Sequence, residues 1–162
     1  MKVGCIKMGN VNRGKQFEDQ IRIGFSKVPE TSVDRLLDPQ NGYAGVRNIC
    51  DFIVYHYPNQ YYIECKSCYG NTLPFSNITK NQWDGLLEKS KYAGVVAGVV
   101  MWFIDHDMTI FVPIKTLARM KAEGYKSVNI TKPEALQYEH YIIPGTKKRV
   151  LFDYDFSGFL GE

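Results

Sequence analysis

Apolar side chains recur along this chain with two periods, which divide it into helices and strands. Phe17, Ile21 and Phe25 stand at i, i+4 and i+8, the spacing of one helical face. They predict a helix over Gly14 to Phe25, with Asn12 as its cap. Ile49 to His56 and Tyr61 to Lys66 are rich in β-branched and aromatic residues and flank the turn sequence Tyr57-Pro58-Asn59-Gln60. The two runs are predicted to pair as a hairpin. Thr79 and Gln82 have capping-box spacing and open a predicted helix running to about Tyr92, with Trp83, Leu86 and Leu87 on its buried face. Gly94 to Phe103 is apolar on both alternating faces, which suits a strand covered on both sides. Asp105-His106-Asp107 turns it into Thr109 to Val112. Pro113 to Ala122 reads as a helix ended by Gly124, Thr131 to Tyr138 as a short helix with Pro133 in its first turn, and Val150 to Tyr154 as a last strand. The expected fold class is α/β, a mixed central β-sheet flanked by helices.

Two segments lack either period. Residues 1–12 read as a flexible arm. Residues 26–48 hold Pro29, Pro39, Gly42 and Gly45 and read as a long loop or protrusion, its outer part spanning 31–48. Structureless loops longer than ~12–15 residues within compact domains usually carry function.

Composition narrows the class. A length of 162 residues suits a single domain, 1–162, and a chain of this size buries ~68–70% of its unfolded surface without needing disulfides. Hydrophobic content of 44% and charged content of 23% argue against disorder, collagen and disulfide scaffolds. The longest apolar run, Ala93 to Ile104, falls short of the ~18 residues of a membrane span. The first residues lack the apolar core of a secretory signal, so no membrane association and a cytoplasmic location are expected. The net charge of +3 is unevenly placed: residues 1–50 and 121–150 are basic, the middle is neutral, and 151–162 is acidic. The basic flanks suit phosphate contacts and equally suit ordinary solvated surface. Cys65 and Cys68 form a C-x-x-C, but no second pair follows, and His56, His106 and His140 are scattered. A zinc centre is therefore not expected, and Cys65 reads as a small core residue.

The chemistry-bearing residues fall on the predicted hairpin. Side chains two apart on a strand share a face, so Glu64 and Lys66 lie together. A turn centred on Pro58-Asn59 sets Asp51 opposite Lys66 and Ile53 opposite Glu64, and directly paired residues share a face. Asp51, Glu64 and Lys66 are thus expected to converge. Two like charges ~4 Å apart repel by ~4 kcal/mol at an effective dielectric of 20. A divalent cation removes that repulsion, and oxygen ligands suit Mg²⁺. Such a cation activates water and polarises a phosphodiester, with Lys66 placed to stabilise extra negative charge. The spacing alone equally fits a salt bridge across a hairpin.

Asp51 followed by Glu64-Cys65-Lys66 resembles the PD-(D/E)XK nuclease signature. The resemblance narrows to RecU-type Holliday junction resolvases through Gly14-Lys15-x-Phe17-Glu18, Asp51, Glu64-x-Lys66, Pro74-Phe75 with Asn77-Ile78, Gln82, and Gly124-Tyr125-Lys126-Ser127-Val128, in that order. It implies a restriction-endonuclease-like core with a protruding stalk loop. It also implies Mg²⁺ (or Mn²⁺) held by Asp51 and Glu64, with Gln82 as a further ligand, direct or through water. Gln82 is also the capping-box side chain, and one side chain is not expected to serve both roles. Lys66 would stabilise the transition state, and Glu18 would lie beside the active site. Four-way junction DNA would be contacted by Arg13, Lys15, Arg35, Arg47, Tyr43 and Lys80, and Leu36 and Leu37 in the stalk would touch unstacked bases. A homodimer with two active sites is implied, and recombination proteins are possible partners. Two features depart from the family. Ile49 stands where a hydroxyl often precedes the aspartate, and the N-terminal extension of bacterial members is nearly absent, which points to a compact, phage-type version. The rival readings are another restriction or repair endonuclease on this fold and a catalytically silent junction-binding protein.

Overall fold

A computed structural model of the chain describes residues 12–37, 47–132 and 137–161. The first helix, α1 (Arg13–Ser26), starts where Asn12 Oδ1 accepts the Lys15 N–H at 3.0 Å, so Asn12 belongs to the helix cap. Phe17, Ile21 and Phe25 are all buried, as their spacing predicts. The next strand, β1 (Thr31–Arg35), lies inside the segment read as loop and stalk. It pairs antiparallel with β2 (Phe52–His56), Thr31 opposite His56 and Arg35 opposite Phe52. Its alternation was too weakly apolar to announce a strand because an edge strand is only half covered.

β2 continues into β3 (Asn59–Cys68) through a two-residue turn, Tyr57-Pro58. The pairs are His56↔Asn59, Ile53↔Tyr62 and Phe52↔Ile63, so the expected pairings of Asp51 with Lys66 and Ile53 with Glu64 are each displaced by two residues. A shift of two leaves every side chain on its expected face, since the strand period is two. β3 then runs through β4 (Thr72–Pro74), a short 3-10 turn at Phe75–Asn77 and α2 (Lys80–Lys89) to β5 (Val95–Phe103), which pairs parallel with β3. Parallel neighbours need such a crossover. β6 (Met108–Pro113), α3 (Ile114–Ala122), β7 (Ser127–Asn129), β8 (Tyr141–Ile142), β9 (Gly145–Lys148), β10 (Leu151–Tyr154) and α4 (Ser157–Leu160) complete the described elements. Gly124, at φ +99°, follows α3 as predicted. The short helix expected over Thr131 to Tyr138 falls largely on 133–136, outside the described residues.

The main sheet has the order β1-β2-β3-β5-β6-β8, and β4 pairs separately with β7. Both faces are covered. α1 and the C-terminal strands pack on Phe52, Val54, Ile63, Cys65, Val100 and Trp102. α2 and α3 pack on Ala97, Val99, Met101 and Phe103. Glu64 and Lys66 point to the α2 side, because they alternate with Ile63 and Cys65 on β3.

α2 can lie against the entry to β2 because residue 85 is glycine. A Cβ there would fall 2.3 Å from Ile49 Cγ2 and 2.6 Å from Ile49 Cβ. Alanine favours a helix over glycine by ~1 kcal/mol, whereas overpacking costs ~1–3 kcal/mol. Gly85→Ala is therefore expected to lower stability in urea unfolding and to disturb Asp51, two residues beyond Ile49. Unchanged or raised stability would mean that Ile49 yields freely.

Candidate active site

The site forms where the β2–β3 ladder breaks. Regular pairing ends at Phe52; one residue earlier the Asp51 N–H reaches the Ile63 carbonyl at 3.0 Å. The Asp51 carboxylate then takes the place of a main-chain acceptor, with Oδ2 receiving the Cys65 N–H at 2.8 Å. This brings the carboxylate within the electrostatic reach of Glu64 and Lys66. On its other side the Asp51 carbonyl accepts the Leu36 N–H at 2.8 Å, so β1 and β3 hold this residue from both flanks.

Glu64 is only 2% exposed. Its Oε1 accepts from Gln82 Nε2 at 2.8 Å and lies 2.8 Å from Lys66 Nζ. Its Oε2 is buried and has no hydrogen-bond partner among the described residues. Gln82 is the capping-box side chain, as its spacing predicts, and it also reaches the site. Its Oε1 accepts the Thr79 N–H at 3.0 Å, completing the capping box, and its Nε2 reaches Glu64. The two ends of the amide divide the work, since an amide accepts at one end and donates at the other.

Burial sets the protonation of the pair. Glu64 is pushed up to about 8 by loss of water, then by the Asp51 charge, against the pull of Lys66. Asp51 is raised by burial, opposed by the Cys65 N–H and by Lys66. Glu18 on α1 is raised by burial and by Asp51, which places it in the same electrostatic cluster. Cys50 is pushed up to about 12 by burial and by Glu64 and Asp51, so it is no thiolate nucleophile.

A cavity of about 560 Å³ opens over these groups, lined by Glu18, Arg35, Asn48, Asp51, Glu64 and Gln82 among others. Arg35 does not project along a stalk. Its Nη2 donates to Glu18 Oε2 at 2.7 Å and its Nη1 to Asp19 Oδ1 at 3.0 Å. The expected phosphate contact is thus replaced, in this conformation, by two carboxylates. Leu36 packs into the core on the α2 side, and Leu37 is 74% exposed. Arg47 and Lys15 are exposed, Arg13 donates to Gln16 Oε1 at 3.1 Å, and Lys80 pairs with Asp84. Tyr43 lies outside the described residues. Sequence reasoning missed Asn48 and Asn81. Asn48 Nδ2 donates to the Leu37 carbonyl at 2.9 Å, and Asn81 Nδ2 reaches the Arg47 and Asn48 carbonyls, each at 3.2 Å. They clasp the two ends of segment 38–46 through main-chain atoms, a role that no residue spacing announces.

The Asp51 and Glu64 carboxylates, with Glu64 Oε2 buried and unpartnered among the described residues, form a small donor set of hard oxygens. Among the described residues no cluster of three or more His, Cys, Asp or Glu is assembled to hold a metal. The small set fits Mg²⁺, which keeps several waters and takes one or two carboxylates. Without a cation, Glu64 has a pH signature. Below about 4.5, the ordinary value, it is protonated in both folded and unfolded chains. From there to about 8 the unfolded chain ionises while the folded chain keeps its proton, so stability falls as pH rises. Metal-free chain is expected to melt lower at about pH 8 than at about pH 5, and Glu64→Gln is expected to flatten that slope. A wild-type melting profile as flat as that of Glu64→Gln would contradict the raised value.

A family model described as Recombination protein U, RecU, matches residues 20–154. Among curated proteins none matches the chain in sequence. Among solved structures, the chain is similar to Hjc of Archaeoglobus fulgidus, a Holliday junction resolvase from an archaeal hyperthermophile, with 19% identity and a TM-score of 0.53, covering 73% of this chain and 89% of that one. The likeness gives the fold, the restriction-endonuclease-like core expected from the sequence. With the family model spanning most of the chain, the protein belongs to the RecU family of Holliday junction resolvase nucleases.

Proposed function

We propose that the chain is a Mg²⁺-dependent endodeoxyribonuclease that resolves four-way DNA junctions by paired strand cleavage as a homodimer. The observation that carries this reading is the buried Asp51–Glu64 pair, one of whose oxygens, Glu64 Oε2, has no hydrogen-bond partner among the described residues, with Lys66 bonded to the same glutamate. A junction-binding protein without activity has no use for buried acids facing a phosphate, because they repel it.

Asp51 and Glu64 would hold the Mg²⁺, with the Gln82 amide oriented by the Thr79 cap. Mn²⁺ would suit the same oxygens. The cation supplies Lewis acidity toward the phosphate and a more acidic bound water. The Cys65 N–H holds Oδ2 of the Asp51 carboxylate, which lines the cavity and would offer Oδ1 to the cation. Lys66 keeps one ammonium beside Glu64, where it meets negative charge gathering on the phosphoryl oxygens. Glu18 shares the cavity and is held by Arg35, so its carboxylate is a positioned outer group. Leu37 and Asn48, on either side of residues 38–47, line the cavity. A stalk there would meet the open centre of a junction, with Arg47 and Tyr43 as contacts. Arg13, Lys15 and Lys80 would meet the flanking arms. A two-fold junction calls for two-fold protein symmetry to cut both strands, and recombination proteins would act on the same DNA.

The test uses a synthetic four-way junction, a duplex of one arm and a single strand, each with and without Mg²⁺. The wild type is expected to cut the junction only with the cation. Asp51→Asn, Glu64→Gln and Lys66→Ala are each expected to lower the rate by ~10²-fold or more, the scale of a lost charge-stabilising group, while junction affinity persists. Preferential cutting of plain duplex would instead mark a restriction or repair endonuclease, and an absence of cutting would mark a silent binder.

A further inference from the structure

On the far flank of α2 lies a groove of about 900 Å³ that the catalytic cluster does not use. Its floor is Phe75 and Trp83, rings 5.6 Å apart, with Tyr125 as a half-buried wall. Among the described residues its charges are Lys80, Lys121 and Lys126 against Asp84 alone. The Lys121 ammonium stands 4.8 Å over the Trp83 ring. The Phe75 N–H donates to the Lys126 carbonyl at 2.9 Å, and Pro74 pairs with Ser127, so the two walls are bound to one another. These are the segments Pro74-Phe75 and Gly124-Tyr125-Lys126, singled out in the sequence but unused by the active site.

We propose that this groove takes an unpaired nucleotide of the DNA strand that passes the active site, an inference that rests on the nuclease reading above. Successive helix residues point ~100° apart. Gln82 on one flank of α2 touches Glu64, while Lys80, Trp83 and Asp84 line the groove on the other. A strand crossing the start of α2 therefore passes from one site to the next. The lining selects this occupant by chemistry. Lysines suit phosphates, and flat apolar walls suit base faces, the combination that binds single strands. An acidic peptide would use the lysines and leave the aromatic floor empty. A purely apolar ligand would leave the excess of ammonium groups unmatched.

The test measures anisotropy of a fluorescein-labelled oligothymidine and of an abasic oligonucleotide of equal length, with the full chain and no divalent cation. The wild type is expected to bind the thymidine strand at least about fivefold more tightly than the abasic one, the scale of one stacked base. Tyr125→Leu, which keeps apolar bulk but loses the aromatic face, is expected to erase that difference. Lys121→Glu with Lys126→Glu is expected to weaken both strands about tenfold or more. Circular dichroism melting checks that both variants fold. Equal wild-type affinity for the two strands, unchanged binding in both folded variants, or equal competition by polyglutamate would each overturn the proposal. Junction cutting with Mg²⁺ is scored separately: a chain that cuts junctions but binds without regard to the groove refutes only the groove, and a chain that binds as expected but never cuts refutes only the nuclease reading.

Discussion

The site is organised around the cost of keeping two carboxylates together out of water. At ~4 Å and an effective dielectric of 20, two such charges repel by ~4 kcal/mol, before the cost of burying either. Glu64 meets this cost by holding its proton up to about pH 8, because burial and the Asp51 charge both disfavour its ionised form. Asp51 meets it with a hydrogen bond from the Cys65 N–H at the break in the ladder. Lys66 and Gln82 both converge on Glu64 Oε1, which leaves Oε2 buried without a hydrogen-bond partner among the described residues. Such an oxygen weakens the fold by itself and is the atom a bound cation would satisfy. Stability and function therefore oppose each other here.

The surrounding fold places these groups with few parts. The parallel pairing of β3 and β5 requires a crossover, and α2 supplies it directly over Glu64. The capping box fixes the start of α2, so the amide that ends the helix ladder is also the amide that reaches the glutamate. Gly85 lets α2 approach Ile49 and the strand entry. On the opposite side, α1 brings Glu18 to the rim, where Arg35 on the edge strand bonds both it and Asp19. The same edge strand bonds to Asp51 through the Leu36 N–H and continues into segment 38–46. The chain that leads into segment 38–46 and the aspartate of the site are thus joined by one main-chain hydrogen bond.

How much of this was legible depended on how local the cause was. The faces of α1 and α2, the existence of α3, the buried strand β5 and the caps at Asn12, Thr79 and Gly124 all follow from residues close in sequence. The convergence of Glu64 with Lys66 follows from a period of two, and it survived a turn misplaced by two residues. The edge strand β1 escaped because Thr-Ser-Val-Asp-Arg has only one strongly apolar member. β4 and β7 escaped because three-residue strands are specified by their partners across the fold. The contact of Gln82 Nε2 with Glu64 lies across the fold and is not encoded in the Thr79–Gln82 spacing that announces the cap. The clasps of Asn48 and Asn81, and the ion pairs of Arg35 with Glu18 and Asp19, need contacts that no spacing encodes.

The central claim is that Glu64 holds a proton that a divalent cation displaces. Calorimetric titration of Mg²⁺ into the wild-type chain near pH 7, in two buffers of different ionisation enthalpy, reads that proton directly. The expected result is release of about one proton per cation bound, with affinity rising as pH approaches 8, because ligands bind metal in their deprotonated forms. Binding with no proton released and no dependence on pH would contradict the account.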